Sequence, residues 1–181
     1  SINFGNSGGT TVLDTNCRIT IPAGSGTVNL TNVIQHGSDT ISMPMSAGSD
    51  VLYLNTGNVF NGPFIFNGTR ILLNGTTFNG SVNILRTYNG ASFDICNGGN
   101  VFNGNTVICD SVSSSNSNTK FALAGTNPDD FNANVTYKRW NAGFIARASF
   151  GNYMYNNVES ATGTYRNIFN PIGVLNNGST N

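Results

Sequence analysis

Charge is scarce in this chain: Lys and Arg number 8, Asp and Glu 8, and together they make up 9% of its 181 residues, where a typical globular chain carries about 25%. Glu occurs once, at Glu159, and His once, at His36. With a formal net charge of zero, nucleic acid is excluded as a partner, because phosphate binding needs several Lys or Arg to release counterions. Long-range electrostatic steering is excluded on the same ground. No apolar run approaches the ~20 residues that cross a bilayer as a helix, so no membrane span is expected. Ser1 opens a polar stretch rather than a signal peptide, and the chain reads as a mature or excised product. The Ala, Glu, Lys and Leu runs of helical proteins are also missing. Asn, Gly, Ser and Thr take their place, and all four are poor helix formers.

Cysteine is nearly absent. Cys17, Cys96 and Cys109 are an awkward number for a disulfide scaffold, and none has the C-x-x-C spacing of a metal site. Two readings stay open: a Cys96–Cys109 disulfide, or small buried apolar residues. The Asn97-Gly98-Gly99-Asn100 stretch lacks the repeated Asp of a calcium-binding solenoid. Neither metal nor cofactor is expected.

What the chain has is apolar content of 38%, enough for one domain with a real core, and a wealth of uncharged amides and hydroxyls, with roughly one residue in six an Asn. These residues repeat. Gly-x-x-Phe-Asn-Gly spans Gly57 to Gly62, Gly75 to Gly80 and Gly99 to Gly104. A close variant carries Phe131-Asn132, and a weaker one carries Tyr155-Asn156. The aromatic markers are separated by 18, 24, 29 and 24 residues, within the range of solenoid repeats. After each marker comes a short apolar-polar alternation, and often a second one such as Arg70–Leu73 or Lys120–Leu123, so each repeat holds two or three short strands.

The expected fold is all-β: a single-stranded β-solenoid, or parallel β-helix, of about five recognisable coils plus a less regular N-terminal β segment. Residues 1–55 form that segment or cap, 56–170 the repeats and 171–181 a polar tail. A lone coil cannot bury its inward face, but coils stacked about 4.8 Å apart form hydrogen-bonded sheets over a continuous core. Stacking would set Phe60, Phe78, Phe102 and Phe131 in an internal aromatic ladder. Asn61, Asn79, Asn103 and Asn132 would occupy the corner with Gly62, Gly80 and Gly104, because Asn-Gly is a turn dipeptide and stacked amides bond along the axis. No amphipathic helix closes the C-terminal end, so exposed strand edges are expected there.

Gly99-Asn100-Val101-Phe102-Asn103-Gly104-Asn105-Thr106-Val107-Ile108 and Asp129-Asp130-Phe131-Asn132-Ala133-Asn134-Val135-Thr136-Tyr137 resemble the Phe-Asn-Gly-Asn-Val repeats of very large surface proteins of Bacteroidota. The likeness covers about residues 57 to 158. Proteins of that kind are adhesin-like and typically exported by the type IX secretion system, which implies an extracellular, cell-surface location. The resemblance also implies O-glycosylation at Asp-Ser/Thr followed by an aliphatic residue, with Thr40 and Ser111 as acceptors.

Chemistry has few candidates. Polysaccharide lyases and hydrolases on β-helices need clustered carboxylates, or a carboxylate with Arg or Lys, on one face. Here those would be Asp94, Asp110, Asp129 and Asp130 with Lys138, Arg139 and Arg147. His36 has no second His to work with. Arg139 and Trp140, in the one basic and aromatic cluster, are candidates to stack on a sugar ring or partner chain. The expected function is that of a non-enzymatic extracellular structural or adhesive protein: a self-assembling filament subunit, or a module of a large surface adhesin, joined by end-to-end strand pairing. Its partners are then copies of itself, adjacent repeats of a longer chain, or surface glycans. The alternative is a carbohydrate-binding or polysaccharide-cleaving β-helix.

Overall fold

A computed structural model describes residues 1–15, 19, 21, 24, 26–45, 48, 50–87, 93–111, 120–123, 126–127, 129–140, 146–150, 153–157 and 164–169, with backbone alone for residues 93, 95, 110–111, 120–122 and those after Thr136. Cys17, the 112–119 stretch and the tail at 171–181 lie outside the described residues. The protein is an all-β solenoid of parallel sheets, with no helix among the described residues. Strands are numbered along the chain.

Three sides are recognisable. The first sheet runs β1 (Ile2–Phe4), β3 (Thr27–Leu30), β6 (Val51–Leu54) and β9 (Arg70–Leu73), and the parallel pair β12 (Phe93–Ile95) and β15 (Lys120–Ala122) lies beyond β9. The second runs β2 (Thr11–Leu13), β4 (Val33–Gln35), β7 (Val59–Phe60), β10 (Thr77–Phe78), β13 (Val101–Phe102) and β16 (Asp130–Phe131). The third runs β5 (Ile41–Met45), β8 (Phe64–Gly68), β11 (Val82–Arg86), β14 (Thr106–Ser111), β17 (Val135–Trp140) and β20 (Thr164–Phe169). Each coil visits the sides in this order, so a strand pairs with those one coil before and after it.

The repeated hexapeptide is explained position by position. Its first glycine turns the chain from the first side to the second in the left-handed region, with φ of +82° at Gly57 and +73° at Gly75 and Gly99, where a side chain would be strained. The next residue, Asn58, Thr76 or Asn100, is buried. Val59, Thr77 and Val101 then face outward and half-exposed, and Phe60, Phe78 and Phe102 face inward with 0 to 1% exposure, the alternation of a two-residue strand. The Asn starts the next corner. The last glycine serves close approach: a Cβ at Gly80 would lie 2.3 Å from the Gly62 carbonyl oxygen, and one at Gly104 2.3 Å from that of Gly80.

In the strand register Phe60, Phe78, Phe102 and Phe131 fall on one another. Ring centroids are 5.8, 5.1 and 4.6 Å apart up the stack, and the last two pairs are within 9° of parallel. Phe64 packs against both Phe60 and Phe78 at 5.3 and 5.2 Å. Met43, Met45, Leu52, Leu54, Ile71, Leu73, Ile84 and Ile108 complete one continuous core. Outside it, the corner amides form a ladder of single polarity. Asn132 Nδ2 donates to Asn103 Oδ1 at 2.8 Å, Asn103 to Asn79 at 2.7 Å, and Asn79 to Asn61 at 2.6 Å. Asn61 donates to the Gln35 carbonyl.

The structure sharpens the sequence reading at both ends. The described strands of residues 1–55 stack as coils of the solenoid: β1 pairs in register with β3, β3 with β6, and β2 with β4. Their marker was invisible because Ile34 pairs with Val59, which puts Gln35 rather than a Phe beneath Phe60. Gln35 is buried all the same, with its amide bonded to Gly62 N–H and the Asp39 carbonyl. At the other end, Tyr155 and Asn156 do not begin a coil. They lie in β19 (Tyr153–Asn157), which pairs antiparallel with β18 (Ala146–Phe150). β20 likewise runs antiparallel to β17. The third side therefore continues past β17 in an antiparallel strand, and β20 is its last strand among the described residues.

The buried and exposed rungs differ in energetic weight. Phe102→Ala should cost about 3–5 kcal/mol, whereas Asn103→Ala, at an exposed position, should cost about 1 kcal/mol; thermal unfolding of the two variants measures the difference. Gly80→Ala forces a Cβ into backbone, and its cost should be about 3 kcal/mol or more, despite the small change in volume.

Candidate functional site

Three polar arrangements are the features with chemical potential. The first arrangement is a buried polar ladder inside the corner between the first and second sides. Asn58 Oδ1 accepts from Val33 N–H at 3.0 Å, and its Nδ2 reaches the carbonyls of Leu30 at 3.0 Å and Asn55 at 2.6 Å. Asn100 Oδ1 accepts from Thr76 N–H at 3.0 Å. Asp129 Oδ1 accepts from both the backbone and the side chain of Asn100, each at 2.8 Å. These groups satisfy corner backbone that no strand pairs, a common role of buried polar side chains. Asp129, a sequence candidate for catalysis, is thereby a rung of a structural ladder.

The second arrangement is ionic. Asp94 is fully buried and receives two arginines. Arg70 Nε and Nη2 meet Oδ1 at 2.8 and 2.7 Å, and Arg86 Nε and Nη2 meet Oδ2 at 3.1 and 2.6 Å. Arg86 has no exposed surface, while the Arg70 side chain is 25% exposed. Such forks are strong, directional, charge-assisted contacts, and they close the corner where the third side passes to the first. Sequence reasoning placed Asp94 beside a basic residue in a groove; the structure brings the charges together in the interior, with both carboxylate oxygens occupied. Spacing could not show this, since Arg70 and Arg86 belong to one coil and Asp94 to the next.

The third arrangement was not legible at all. Asp50, buried on the coil that starts with β6, accepts from Gly24 N–H and Gly26 N–H at 2.8 Å each. Its carbonyl accepts from the Thr69 hydroxyl at 2.6 Å. Both glycines have positive φ, +82° and +72°, so their N–H groups turn toward one carboxylate as in an anion nest.

The remaining sequence candidates are scattered. Cys96 and Cys109 are not joined: Cys96 is fully buried and accepts from Leu73 N–H at 3.2 Å, whereas Cys109 is half-exposed on the outward face of β14, between the buried Ile108 and the strand end. Burial pushes the Cys96 thiol far above its usual range, partly offset by the Leu73 hydrogen bond, which makes it inert. His36 is exposed, 4.0 Å from exposed Asp14. Thr40 is half-exposed just before β5, and Ser111 ends β14. Arg139 holds the register position of Asp110, itself level with Arg86, and Trp140 that of Ser111; their side chains lie outside the described residues. Among the described residues no group of three or more His, Cys, Asp or Glu converges.

Among the described residues the second and third sheets end at β16 and β20 in one direction, and the first and second at β1 and β2 in the other. Ile2 and Val12 are 37% and 49% exposed, and Phe4 and Leu13 are half-buried against the core. No residue of either strand is charged. Comparison with protein-family models, curated proteins and solved structures finds no match.

Removing the Asp94 charge should be costly. Asp94→Asn leaves two guanidinium groups facing a neutral amide in the interior, with an expected loss of about 3–5 kcal/mol, measurable by denaturant unfolding. Asp14→Asn, at an exposed site where an amide oxygen can still accept from Thr15 N–H and only the screened contact with His36 changes, should change stability by under about 0.5 kcal/mol.

Proposed function

We propose that this chain is a non-enzymatic structural or adhesive protein of the extracellular surface, a solenoid module that joins others by pairing strands at its end. The observation that carries the reading is the stack itself: parallel coils in register whose outward corner positions are filled by neutral, mutually bonded amides. Each coil of such a stack is an edge onto which another can pair, from the same chain or from a neighbour.

The side walls suit the same role. Corner amides, outward Val59, Thr77 and Val101, and outward Asn67 and Asn83 make a neutral wall, which lets like surfaces pack closely without charge repulsion. Both versions of the reading, a module of a large adhesin and a filament subunit, rest on coils stacking on coils. The extracellular setting rests on the resemblance of the repeats to surface proteins and on the scarcity of charge. The second reading, a carbohydrate-binding β-helix, draws on the exposed row Asn79, Asn103 and Asn132, whose amides present hydrogen-bonding groups at the coil repeat.

Sedimentation equilibrium over a wide concentration series tests the reading, with a polysaccharide panel alongside. Association above the 19.1 kDa single-chain mass, without release of reducing ends, is expected. A single-chain mass at every concentration, or cleavage of any polysaccharide, would overturn it.

A further inference from the structure

Every phenylalanine whose side chain is described lies in the core or packs against it. Tyr53 does not. It stands between Leu52 and Leu54, both core residues at 0% exposure, so the period of two along β6 turns its ring outward onto the wall of the first side. There it is half-buried, and its hydroxyl has no hydrogen-bond partner among the described residues. An aromatic ring with one apolar face and one wet polar tip is the side chain that contact surfaces favour.

The register supplies its surroundings. Asn29 lies one coil below Tyr53 and Leu72 one coil above, each about 4.8 Å away. Asn55 continues the ladder, its N–H donating to the Leu30 carbonyl at 2.8 Å, which sets its side chain on the same face about 7 Å beyond Tyr53. Asn55 Nδ2 donates to the Thr31 hydroxyl at 3.2 Å, and Asn29 Nδ2 to Asn3 Oδ1 at 2.8 Å. An amide has two N–H groups and an oxygen with two lone pairs, so each of the two keeps a donor and its oxygen for a ligand. None of these residues is charged. Arg70, on the same face of β9, is already bonded to Asp94 through Nε and Nη2.

A ligand for this wall has to lay apolar surface on one ring, offer hydroxyl-type donors and acceptors to the amides around it, and carry no charge. A pyranose ring does all three, because its C–H groups form a flat apolar face and its hydroxyls project around the rim. We propose that the first-side wall centred on Tyr53 binds a neutral polysaccharide, with one sugar ring on the phenol and its hydroxyls bonded to Asn29, Asn55 and the Tyr53 hydroxyl. A carboxylate or sulfate on the sugar would lose water here without gaining a partner. The other amide row, Asn79, Asn103 and Asn132, is flanked by Val59, Thr77 and Val101 and has no ring beside it. The inference rests on the adhesive reading and gives it a ligand class and a site, and a wall can hold a glycan whether or not another chain's coils pair with this one.

Retention of the intact chain on surfaces coated with cellulose, mannan or xylan tests it, with polygalacturonate as the charged counterpart. At least one neutral polymer should hold the chain, and polygalacturonate should not. Tyr53→Ala should weaken that retention by about tenfold or more while keeping the far-ultraviolet circular dichroism of the parent, and Tyr53→Phe, which keeps the ring, should preserve most of it. Asn55→Asp leaves the ring in place and sets a carboxylate on the wall, so it should weaken retention even if the alanine variant does not fold. Failure of all three neutral polymers, equal retention by polygalacturonate, or a folded Tyr53→Ala variant that binds like the parent would overturn the site. Loss of self-association in Tyr53→Ala, with no polymer retained by the parent, would assign the wall to a second copy instead. Sedimentation of the same samples separates the two readings: a chain that stays single yet is retained removes strand pairing and keeps the site, and the reverse removes the site alone.

Discussion

A coil of this chain cannot hide its inward face from water until another coil lies over it, and the interaction that sets how coils overlie one another is the vertical register of Phe60, Phe78, Phe102 and Phe131. Stacked rings bury large apolar area and fix one residue per strand. Once that residue is placed, the period of two in a strand determines every other: Val59, Thr77 and Val101 go out, the preceding polar residue goes into the corner, and the following Asn meets the Asn of the next coil. A slip by one residue would turn the phenyl rings to solvent and carry Val59, Thr77 and Val101 into the core. The amide ladder outside and the phenyl ladder inside thus enforce the same register from two sides of the backbone.

The polar interior follows from the corners. A β-solenoid turns sharply at each one, and turning backbone leaves N–H and C=O groups that no sheet pairs. Asn58 and Asn100 answer this with side-chain amides that both donate and accept. Asp50 answers it with a carboxylate against two glycine N–H groups, and Asp94 holds two arginines where the third side returns to the first. A chain with so little charge keeps a considerable part of it inside, in fully bonded arrangements that specify which coil lies against which. Two of its few carboxylates are occupied in this way as structural ties.

The hexapeptide alone was sufficient to establish an all-β solenoid, the aromatic stack and the corner amides, because a motif repeated at coil spacing reports which residues are equivalent, and equivalent residues in a solenoid must touch. It also located Phe131-Asn132 despite the lost glycine. Where equivalence was masked, tertiary structure decided. Gln35 fills a phenylalanine position and hid the N-terminal coils, since a buried amide is recognisable only when Gly62 N–H and the Asp39 carbonyl stand beside it. Tyr155-Asn156 kept the aromatic and the amide yet pairs antiparallel, because strand direction depends on the path of the chain and not on the residues in the strand. Asp94 with Arg70 and Arg86, Asp50 with Gly24 and Gly26, and the opposite facing of Cys96 and Cys109 join residues from different coils or different faces. Those relations exist only once coil height and side-chain direction are both fixed, and a linear sequence encodes neither until its coils are stacked.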